Sequence, residues 1–281
     1  MAPDLLRQRP AAARAPGPSL EVTNVEVTYN RVAIAIQGVS VTVPDGHIVA
    51  ILGSNGAGKT TLLRSISGFL SGDFAAISEG TVRYGDHDLK GRQPHEIANR
   101  GVVLVPERDK VFATLTVEEN MRCARAPRGR GDRAKTLELI RDLFPALDKV
   151  RNRQAGYLSG GERQMLAIAQ ALLQEPKVLL ADELSLGIAP ALVTRLMEAV
   201  KRINAERGTS ILLVEQNARA ALAIANHAYI LETGRVMMDG TPAHLMEHED
   251  VKEFYLGMTE GAGQKNYADV KQYRRKRRWW G

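Results

Sequence analysis

Hydrophobic residues form short clusters along the chain, and amphipathic segments separate them. Residues 20–29 alternate in part between apolar and polar positions, as a half-exposed strand does. Residues 39–43 predict a second strand, and the Pro-Asp-Gly turn that follows would end it. Residues 47–52 are mostly apolar and include β-branched side chains, so they predict a buried strand.

Three more apolar runs, at residues 102–105, 178–181 and 211–214, are each bounded by polar or turn residues. A helix is predicted between Pro190 and Gly208, because proline favours a helix start and glycine favours a helix end. The apolar residues between them recur every three or four positions. Short apolar runs that alternate with helices are typical of a parallel sheet covered on both faces. We therefore expect an α/β fold with a mostly parallel core sheet.

The composition changes at both ends and in one internal stretch. Residues 1–18 are rich in Ala, Pro and Arg and lack the apolar stretch of a secretion signal, so they predict a disordered leader. Residues 19–258 are predicted to form the folded domain. Within it, residues 108–157 are charged and helix-rich, which indicates a helical subdomain inserted between two core strands. Residues 259–281 form a basic tail with two tryptophans.

The net charge of +6 is concentrated in the two ends. The tail contains seven basic and two acidic residues and the leader contains three basic and one acidic, which leaves −1 for the body. Because the folded body is near neutral, we expect no nucleic-acid partner for it. The tail suits an anionic membrane surface, an acidic partner or RNA, and a solvated disordered tail is an equal alternative.

No apolar run reaches the ~20 residues that a membrane-spanning helix needs. The single cysteine, Cys123, cannot form a disulfide within the chain, which fits a reducing compartment. These features predict a cytoplasmic protein without a membrane span of its own.

A glycine-rich pattern, G-x-x-x-x-G-K-[ST], lies between a predicted strand and a predicted helix. Such a loop directs backbone N–H groups and a helix N-terminus at an anion. The candidate nucleotide-binding residues are Gly53, Ser54, Asn55, Gly56, Ala57, Gly58, Lys59, Thr60 and Thr61. Lys59 would contact the β- and γ-phosphates, and the Thr60 hydroxyl would coordinate Mg²⁺. The motif therefore predicts a site for ATP and Mg²⁺.

Two carboxylates, Asp182 and Glu183, follow the apolar run at residues 178–181. An acidic residue at the end of a buried strand costs free energy unless it meets a cation. We expect Asp182 to hold Mg²⁺, and Glu183 to orient or deprotonate the attacking water. An acidic helix cap after a strand is the alternative interpretation, which the phosphate-binding loop in the same chain disfavours.

Residues 158–164, LSGGERQ, resemble the LSGGQ signature of ABC-type ATPases. The resemblance extends over about residues 20–258. It implies a P-loop NTPase fold with an N-terminal antiparallel β region beside the mostly parallel core sheet. In this family the signature caps the γ-phosphate bound by the other subunit of a head-to-tail dimer. The corresponding residues here are Ser159, Gly160, Gly161 and Glu162.

The same resemblance assigns roles to residues outside these motifs. Tyr29 corresponds to the aromatic residue that stacks on adenine, with a surface aromatic on a strand as the alternative. Glu107 stands where most members have a glutamine, and we expect it at the metal. Gln216 stands where most members have a histidine; it can donate a hydrogen bond to a γ-phosphate, but it cannot carry a proton. The catalytic set expected from the sequence is thus Glu183, Gln216 and Lys59.

The segments VPE, VEQN and AYILETGRVMMDGTP resemble the branched-chain amino acid importers, specifically the shorter of their two ATPase subunits. This implies ATP hydrolysis coupled to transport, at the cytoplasmic face of the inner membrane. The implied partners are permease subunits, a second ATPase subunit in a homo- or heterodimer and, indirectly, a periplasmic solute-binding protein. The helical insert would receive the permease through apolar residues that could equally form its own core. These are Val111, Phe112, Leu115 and Val117.

Other functions remain open at this stage. A non-transport ABC ATPase that acts on a soluble or nucleic-acid complex is the alternative. The sequence lacks the tandem ATPase domains or long coiled coil that such proteins carry. A nucleotide-binding module without hydrolysis is a further possibility, against which Glu183 argues. The ATPase does not touch the solute, so urea, short amides and aromatic acids remain open beside branched-chain amino acids.

Overall fold

The computed structural model describes residues 17–70, 74–108, 110–127 and 131–255 of the 281 residues. The strands are β1 (Leu20–Tyr29), β2 (Ala33–Val43), β3 (Ile48–Leu52), β4 (Ala75–Tyr84), β5 (His87–Asp88), β6 (Val102–Val105), β7 (Val178–Asp182), β8 (Ser210–Glu215), β9 (His227–Glu232) and β10 (Arg235–Gly240). The helices are α1 (Lys59–Ser67), α2 (Pro94–Asn99), α3 (Val117–Cys123), α4 (Arg133–Leu143), α5 (Pro145–Lys149), α6 (Gly160–Leu172), α7 (Pro190–Arg207), α8 (Ala218–Leu222), α9 (Pro242–Glu247) and α10 (Glu249–Phe254), with a short 3-10 helix at Ala155–Tyr157. The predicted tail and residues 1–16 of the predicted leader lie outside the described residues.

An antiparallel sheet with the strand order β2-β1-β4-β5 is formed by the N-terminal part of the chain. The predicted strand at residues 20–29 is β1, whose Val22, Val25 and Val27 are buried while polar residues between them face outward. β2 begins six residues before the predicted start because Ala33 also pairs with β1. β4 is not among the predicted strands. Its segment, AAISEGTVRY, alternates poorly between apolar and polar residues and contains Gly80, which has a positive φ.

The second sheet has the strand order β10-β9-β3-β8-β7-β6, and its ladders are parallel except for the β9–β10 hairpin at one edge. Every residue of β3, β7 and β8 is buried, which explains their continuous apolar sequences. The four apolar runs in the sequence all become strands of this sheet. The expected α/β fold with a mostly parallel core sheet is confirmed.

Parallel strands place their carboxyl ends at one edge of this sheet. Leu52 at the end of β3 pairs with Glu215 of β8, and Asp182 at the end of β7 pairs with Val214. The phosphate-binding loop, Glu183 and Gln216 directly follow these strands. Ligand sites in open α/β sheets lie outside such an edge. The fold thereby brings together residues that are more than 150 positions apart along the chain.

The segment between β6 and β7 is largely helical and contains α3, α4, α5 and α6. Helices α3, α4 and α5 pack against α6, and the side chain of Asn120 is fully buried among them. Asn120 Nδ2 donates to the carbonyls of Phe112 and Thr116, and its Oδ1 accepts from Phe112 N at 2.8 Å. One side chain thus satisfies several buried backbone groups of the subdomain. Val117 is fully buried in this core rather than on a docking surface.

The helices of the described residues are all too short or too polar to span a bilayer.

Candidate active site

The phosphate-binding loop connects β3 to α1 and is shaped by two glycines. Gly56 and Gly58 have φ values of 80° and 103°, which side chains with a Cβ adopt only with strain. Gly58 precedes α1 directly, and no side chain among the described residues caps this helix. The first-turn N–H groups of α1 are therefore not occupied by a side-chain cap and can bind an anion.

Lys59 is the first residue of α1, and its ammonium group is buried in this loop. Nζ donates to the carbonyl oxygens of Gly53 at 2.8 Å and Ser54 at 3.0 Å. It also lies 3.1 Å from Oε1 of Glu183. Only 4% of Lys59 is exposed, so this carboxylate supplies its counter-charge. The loop carbonyls orient the ammonium group, while the contact with Glu183 spans the space between the loop and β7.

Asp182 ends β7 and accepts a hydrogen bond from the Thr60 hydroxyl at 3.3 Å. Burial raises the pKa of Asp182 to about 6, and the neighbouring carboxylates of Glu183 and Glu107 add to the effect. The Thr60 hydrogen bond and the charge of Lys59 act in the opposite direction. A bound cation at this carboxylate would favour its charged form. The Thr60 hydroxyl oxygen and the Asp182 carboxylate oxygen are hard ligands, which divalent cations such as Mg²⁺ prefer.

Glu183 follows Asp182 in a left-handed backbone conformation, with a φ of 47°. Its N–H donates to the carbonyl of Val214 on the neighbouring strand at 2.9 Å. A non-glycine residue in this region of φ/ψ space is strained and persists only where its surroundings hold it. The conformation aims the carboxylate at Lys59 and into the pocket beside the loop.

A pocket of about 800 Å³ opens beside the phosphate-binding loop. It is lined by Ile34, Ala35, Gln37, Asn55, Gly56, Gly58, Lys59, Thr60, Thr61, Glu107, Arg108, Glu183, Leu186 and Thr233. The structure thus gathers eight of the predicted site residues in one pocket. Asp182 is connected to the pocket by its hydrogen bond from Thr60. The carbonyl groups of Gly53 and Ser54 accept hydrogen bonds from Lys59. Ala57 is buried and supports the loop from below.

The sequence does not predict several residues in or beside this pocket as part of the site. Thr233 and Gly234 form the turn between β9 and β10, and Gly234 N donates to the carbonyl of Ala57 at 3.0 Å. A glycine between two apolar runs marks a turn, and this signal could have located the turn at Gly234. Gln37 accepts a hydrogen bond from Arg235 Nε at 3.0 Å, and its position in the pocket has no local sequence signal.

Tyr29 lies at the end of β1, next to the pocket. Its hydroxyl and the Thr61 hydroxyl are 3.2 Å apart, within hydrogen-bond distance. Thr61 lines the pocket, so this contact places the Tyr29 hydroxyl at the edge of the pocket. The contact connects β1 to α1 and explains how a residue that precedes the loop by more than twenty positions is positioned.

Glu107 and Gln216 occupy two other loops at the same sheet edge. Glu107 follows β6, lines the pocket and binds Arg108 Nε at 3.0 Å. Gln216 follows β8 and has an exposed side chain. Gln216 makes no hydrogen bond with another described side chain, so its position depends on its backbone neighbours Glu215 and Asn217.

The signature residues begin α6 and form a reciprocal cap. Ser159 Oγ accepts from Glu162 N at 3.2 Å, and Glu162 Oε2 accepts from Ser159 N at 2.8 Å. The hydrogen bond from Ser159 lowers the pKa of Glu162. A Cβ at Gly161 would lie 1.9 Å from Leu192 Cδ2, so a larger residue there would displace the Leu192 side chain of α7. Within the described residues, no hydrogen bond or ion pair joins Ser159, Gly160, Gly161 or Glu162 to the phosphate-binding loop.

A second pocket of about 780 Å³ lies between the core and the helical subdomain. It is lined by Arg64, Phe69, Leu104, Pro106, Arg108, Lys110, Phe112, Cys123, Ala124, Arg125, Ala167, Gln170, Ala171 and Gln174. We call it the inter-subdomain groove. Four lining side chains are basic and none is acidic, and burial lowers the pKa of Lys110. Phe69 and Phe112 expose about half of their surface, at 50% and 58%.

Comparison with known proteins places the chain in a family. The pattern that defines the family "ABC transporter" matches residues 36–185. The chain is 39% identical over 238 residues to the high-affinity branched-chain amino acid transport ATP-binding protein BraG of Pseudomonas aeruginosa, covering 85% of this chain and 99% of that protein. It is 36% identical over 222 residues to the probable branched-chain amino acid transport ATP-binding protein LivF of Archaeoglobus fulgidus, covering 79% and 92%.

Solved structures agree with this assignment. The ADP conformation of an ATP-binding cassette of an ABC transporter superposes with a TM-score of 0.70 at 26% identity, covering 85% of this chain and 99% of that one. The matching fold, the phosphate-binding loop and the carboxylates at the end of β7 occur in one chain. The chain therefore belongs to the ABC transporter family, as one of its ATP-hydrolysing subunits.

Proposed function

We propose that this chain hydrolyses ATP to power a branched-chain amino acid importer. The observation that carries the proposal is the convergence of Lys59, the Thr60–Asp182 pair and Glu183 on one pocket at the carboxyl edge of the sheet. The relatives supply the solute class, since BraG and LivF are both branched-chain amino acid transport ATP-binding proteins.

Residues of the phosphate-binding loop bind the triphosphate. The uncapped N–H groups of α1 donate hydrogen bonds to the phosphate oxygens, and the Lys59 ammonium group approaches the β- and γ-phosphates. Lys59 now pairs with Glu183, so the arriving γ-phosphate takes over from this carboxylate as its partner. Tyr29 stacks on the adenine, held by its contact with Thr61.

Three oxygen-bearing side chains would hold Mg²⁺, namely Thr60, Asp182 and Glu107. Thr60 and Asp182 are already within hydrogen-bond distance, and Glu107 lines the same pocket. Bound there, Mg²⁺ supplies positive charge that neutralises the phosphate oxygens. Burial raises the pKa of Asp182 to about 6, so a cation bound beside it would stabilise its charged form.

Glu183 then acts as the general base, and Gln216 as a hydrogen-bond donor. Separation from Lys59 leaves the Glu183 carboxylate free to accept a proton from the attacking water. The Gln216 amide can donate to a γ-phosphate oxygen but cannot transfer a proton. The proton of the water therefore passes to Glu183.

A second ATPase subunit completes the site in this proposal. Ser159, Gly160, Gly161 and Glu162 lie at the start of α6, and no hydrogen bond or ion pair in the described part of the chain joins them to its own phosphate-binding loop. In a head-to-tail homo- or heterodimer, they would cap the γ-phosphate bound by the other subunit. The reciprocal cap between Ser159 and Glu162 shapes this helix start before any nucleotide arrives.

The inter-subdomain groove receives the permease. It is lined by exposed aromatic side chains and by four basic residues. An amphipathic segment with acidic residues would be complementary to this surface, since its apolar face would cover the aromatic side chains and its acidic residues would pair with the basic ones. Of the four apolar residues that the sequence points to, Phe112 lines the groove. Docking there would place the chain at the cytoplasmic face of the inner membrane. A periplasmic solute-binding protein would deliver the amino acid to the permease.

The experiment uses a strain that lacks this chain and measures uptake of labelled leucine, isoleucine and valine. The wild-type chain should restore uptake, and Lys59→Ala should not. Lys135→Ala, which changes an exposed lysine of α4, serves as the control and should restore uptake fully. Unimpaired uptake in the deletion strain rejects the solute class. ATP hydrolysis by the purified complex that survives Lys59→Ala rejects the site.

A further inference from the structure

Glu215, the last residue of β8, carries a carboxylate that the proposed function leaves without a role. The residue is fully buried, and Ser185 donates two hydrogen bonds to its carboxylate. One comes from the backbone N–H to Oε1 at 3.0 Å, and the other from the hydroxyl to Oε2. Glu215 is also the residue directly before Gln216. Its carboxylate thus connects the loop after β7 to the start of the loop after β8.

The two loops that Glu215 joins each carry a residue of the hydrolytic site. Ser185 lies two positions after Glu183, and Glu215 itself lies one position before Gln216. A backbone hydrogen bond from Glu183 to Val214 runs beside these contacts at 2.9 Å. On the opposite side, Glu215 pairs in register with Leu52, the last residue before the phosphate-binding loop. Glu215 therefore lies where three segments of the site meet.

Filling space in the core does not explain why residue 215 has a carboxylate side chain. Burial raises the pKa of Glu215 to about 7, and the nearby Glu183 carboxylate adds to this cost. An apolar residue at the end of a buried strand would avoid the cost. A carboxylate has two acceptor oxygens, and here they hold the Ser185 hydroxyl and backbone N–H at the same time.

We infer that Glu215 is a positioning residue that couples Gln216 to the loop after Glu183. The inference rests on the proposed function, in which Gln216 contacts the γ-phosphate. Gln216 has an exposed side chain, so its backbone neighbours decide where its amide lies. Because Ser185 holds the residue immediately before Gln216, a displacement of either loop displaces the other. A γ-phosphate that binds Gln216 would thereby also shift residues 185–187.

The test measures the affinity of the full chain for ADP and for a non-hydrolysable ATP analogue, by competition with a fluorescent nucleotide. Gln216→Ala should lower the preference for the analogue by about 10-fold, as expected for a lost hydrogen bond to a charged group. Glu215→Gln and Ser185→Ala should each lower it by about 3-fold or more and leave ADP affinity unchanged within about 2-fold. Ser185→Thr keeps the hydroxyl and should retain the wild-type preference.

Double variants identify the mechanism. If Glu215 acts through Gln216, adding Glu215→Gln to Gln216→Ala should cause no further loss. Full additivity, or equal weakening of ADP and analogue binding in both Glu215→Gln and Ser185→Ala, would overturn the inference. An effect of Gln216→Ala without any effect of the other two would also overturn it and leave the proposed function intact. No effect of Gln216→Ala would instead refute the role of Gln216 on which the inference depends.

Discussion

Lys59 Nζ lies 3.1 Å from Glu183 Oε1, and the two side chains form a buried ion pair across the phosphate-binding loop. Both residues are almost fully buried, with exposed fractions of 4% and 7%. In the proposed function, Lys59 binds the phosphates and Glu183 activates water. The ion pair therefore joins the phosphate-binding cation to the catalytic base, and a phosphate that binds Lys59 would compete with Glu183 for it.

The first prediction concerns the cost of this separation. Glu183→Gln removes the competing charge, so we expect ATP to bind about 10-fold more tightly, because an uncompensated buried cation gains a phosphate partner without losing an ion pair. Turnover should fall about 100-fold or more with the loss of the general base. A titration with fluorescent ATP and a phosphate-release assay measure the two effects.

Glu206→Gln is the matched control, since Glu206 is a half-exposed glutamate of α7 that pairs with Arg202. It should change neither affinity nor turnover. Weaker ATP binding by Glu183→Gln would contradict the idea that the ion pair competes with the nucleotide.

The second prediction compares two glycines of the loop. A Cβ at Gly53 would lie 2.4 Å from the Leu231 carbonyl oxygen, whereas a Cβ at Gly56 meets open space. Gly53→Ala should therefore displace the loop, destabilise the protein by about 1–3 kcal/mol and abolish tight ATP binding. Gly56→Ala should cost about 1–2 kcal/mol, from its positive φ alone.

Urea denaturation and nucleotide titration of both variants provide the measurement. Equal losses of ATP affinity would show that backbone conformation, rather than the contact with β9, limits this loop.

The third prediction separates the ring of Tyr29 from its hydroxyl. Tyr29→Ala should weaken ATP binding by about 10-fold or more, because stacking of a base on an aromatic ring contributes about 1–3 kcal/mol. Tyr29→Phe loses only the contact with the Thr61 hydroxyl and should weaken binding by less than about 3-fold. Inorganic triphosphate lacks the base, so its affinity should be the same in all three proteins. A similar loss for Phe and Ala would mean that the hydroxyl contact is what matters.

The fourth prediction concerns pH and Glu215. Its pKa of about 7 in the folded protein exceeds the ordinary value of 4.5, so its protonated form stabilises the fold below pH 4.5. This contribution decreases as the pH rises from 4.5 and is lost above pH 7. Glu215→Gln cannot ionise, so it does not lose this contribution. The free energy of unfolding of the wild type should therefore fall relative to that of Glu215→Gln as the pH rises, by up to about 3 kcal/mol. Urea denaturation at pH 5, 6, 7 and 8 measures the difference.

Other groups that titrate in this range, including Asp182, are common to both proteins and cancel in the comparison. A difference between wild type and Glu215→Gln that stays constant with pH would show that Glu215 ionises normally in the fold.

The sequence by itself determines the chemistry of the phosphate-binding loop and the type of most core elements. The loop is a contiguous segment, so its glycines, Lys59 and Thr60 function at fixed spacing after a buried strand. The apolar runs that become β3, β6, β7 and β8 are also legible, because a strand buried on both faces needs apolar residues at every position. β4 lies outside these predictions because its apolar and polar residues alternate poorly. The short apolar runs of β9 and β10 are present in the sequence but are not among the predicted strands.

The tertiary structure alone decides which distant side chains meet. Lys59 contacts Glu183, and Ser185 contacts Glu215, across 124 and 30 positions of the chain respectively. Each contact depends on the order and register of parallel strands, which a local pattern does not encode. The sequence specifies a strand through its own residues, whereas the neighbours of a strand follow from the packing of the whole sheet. The ion pair and the role of Glu215 therefore emerge only when the strand ends are brought to one edge.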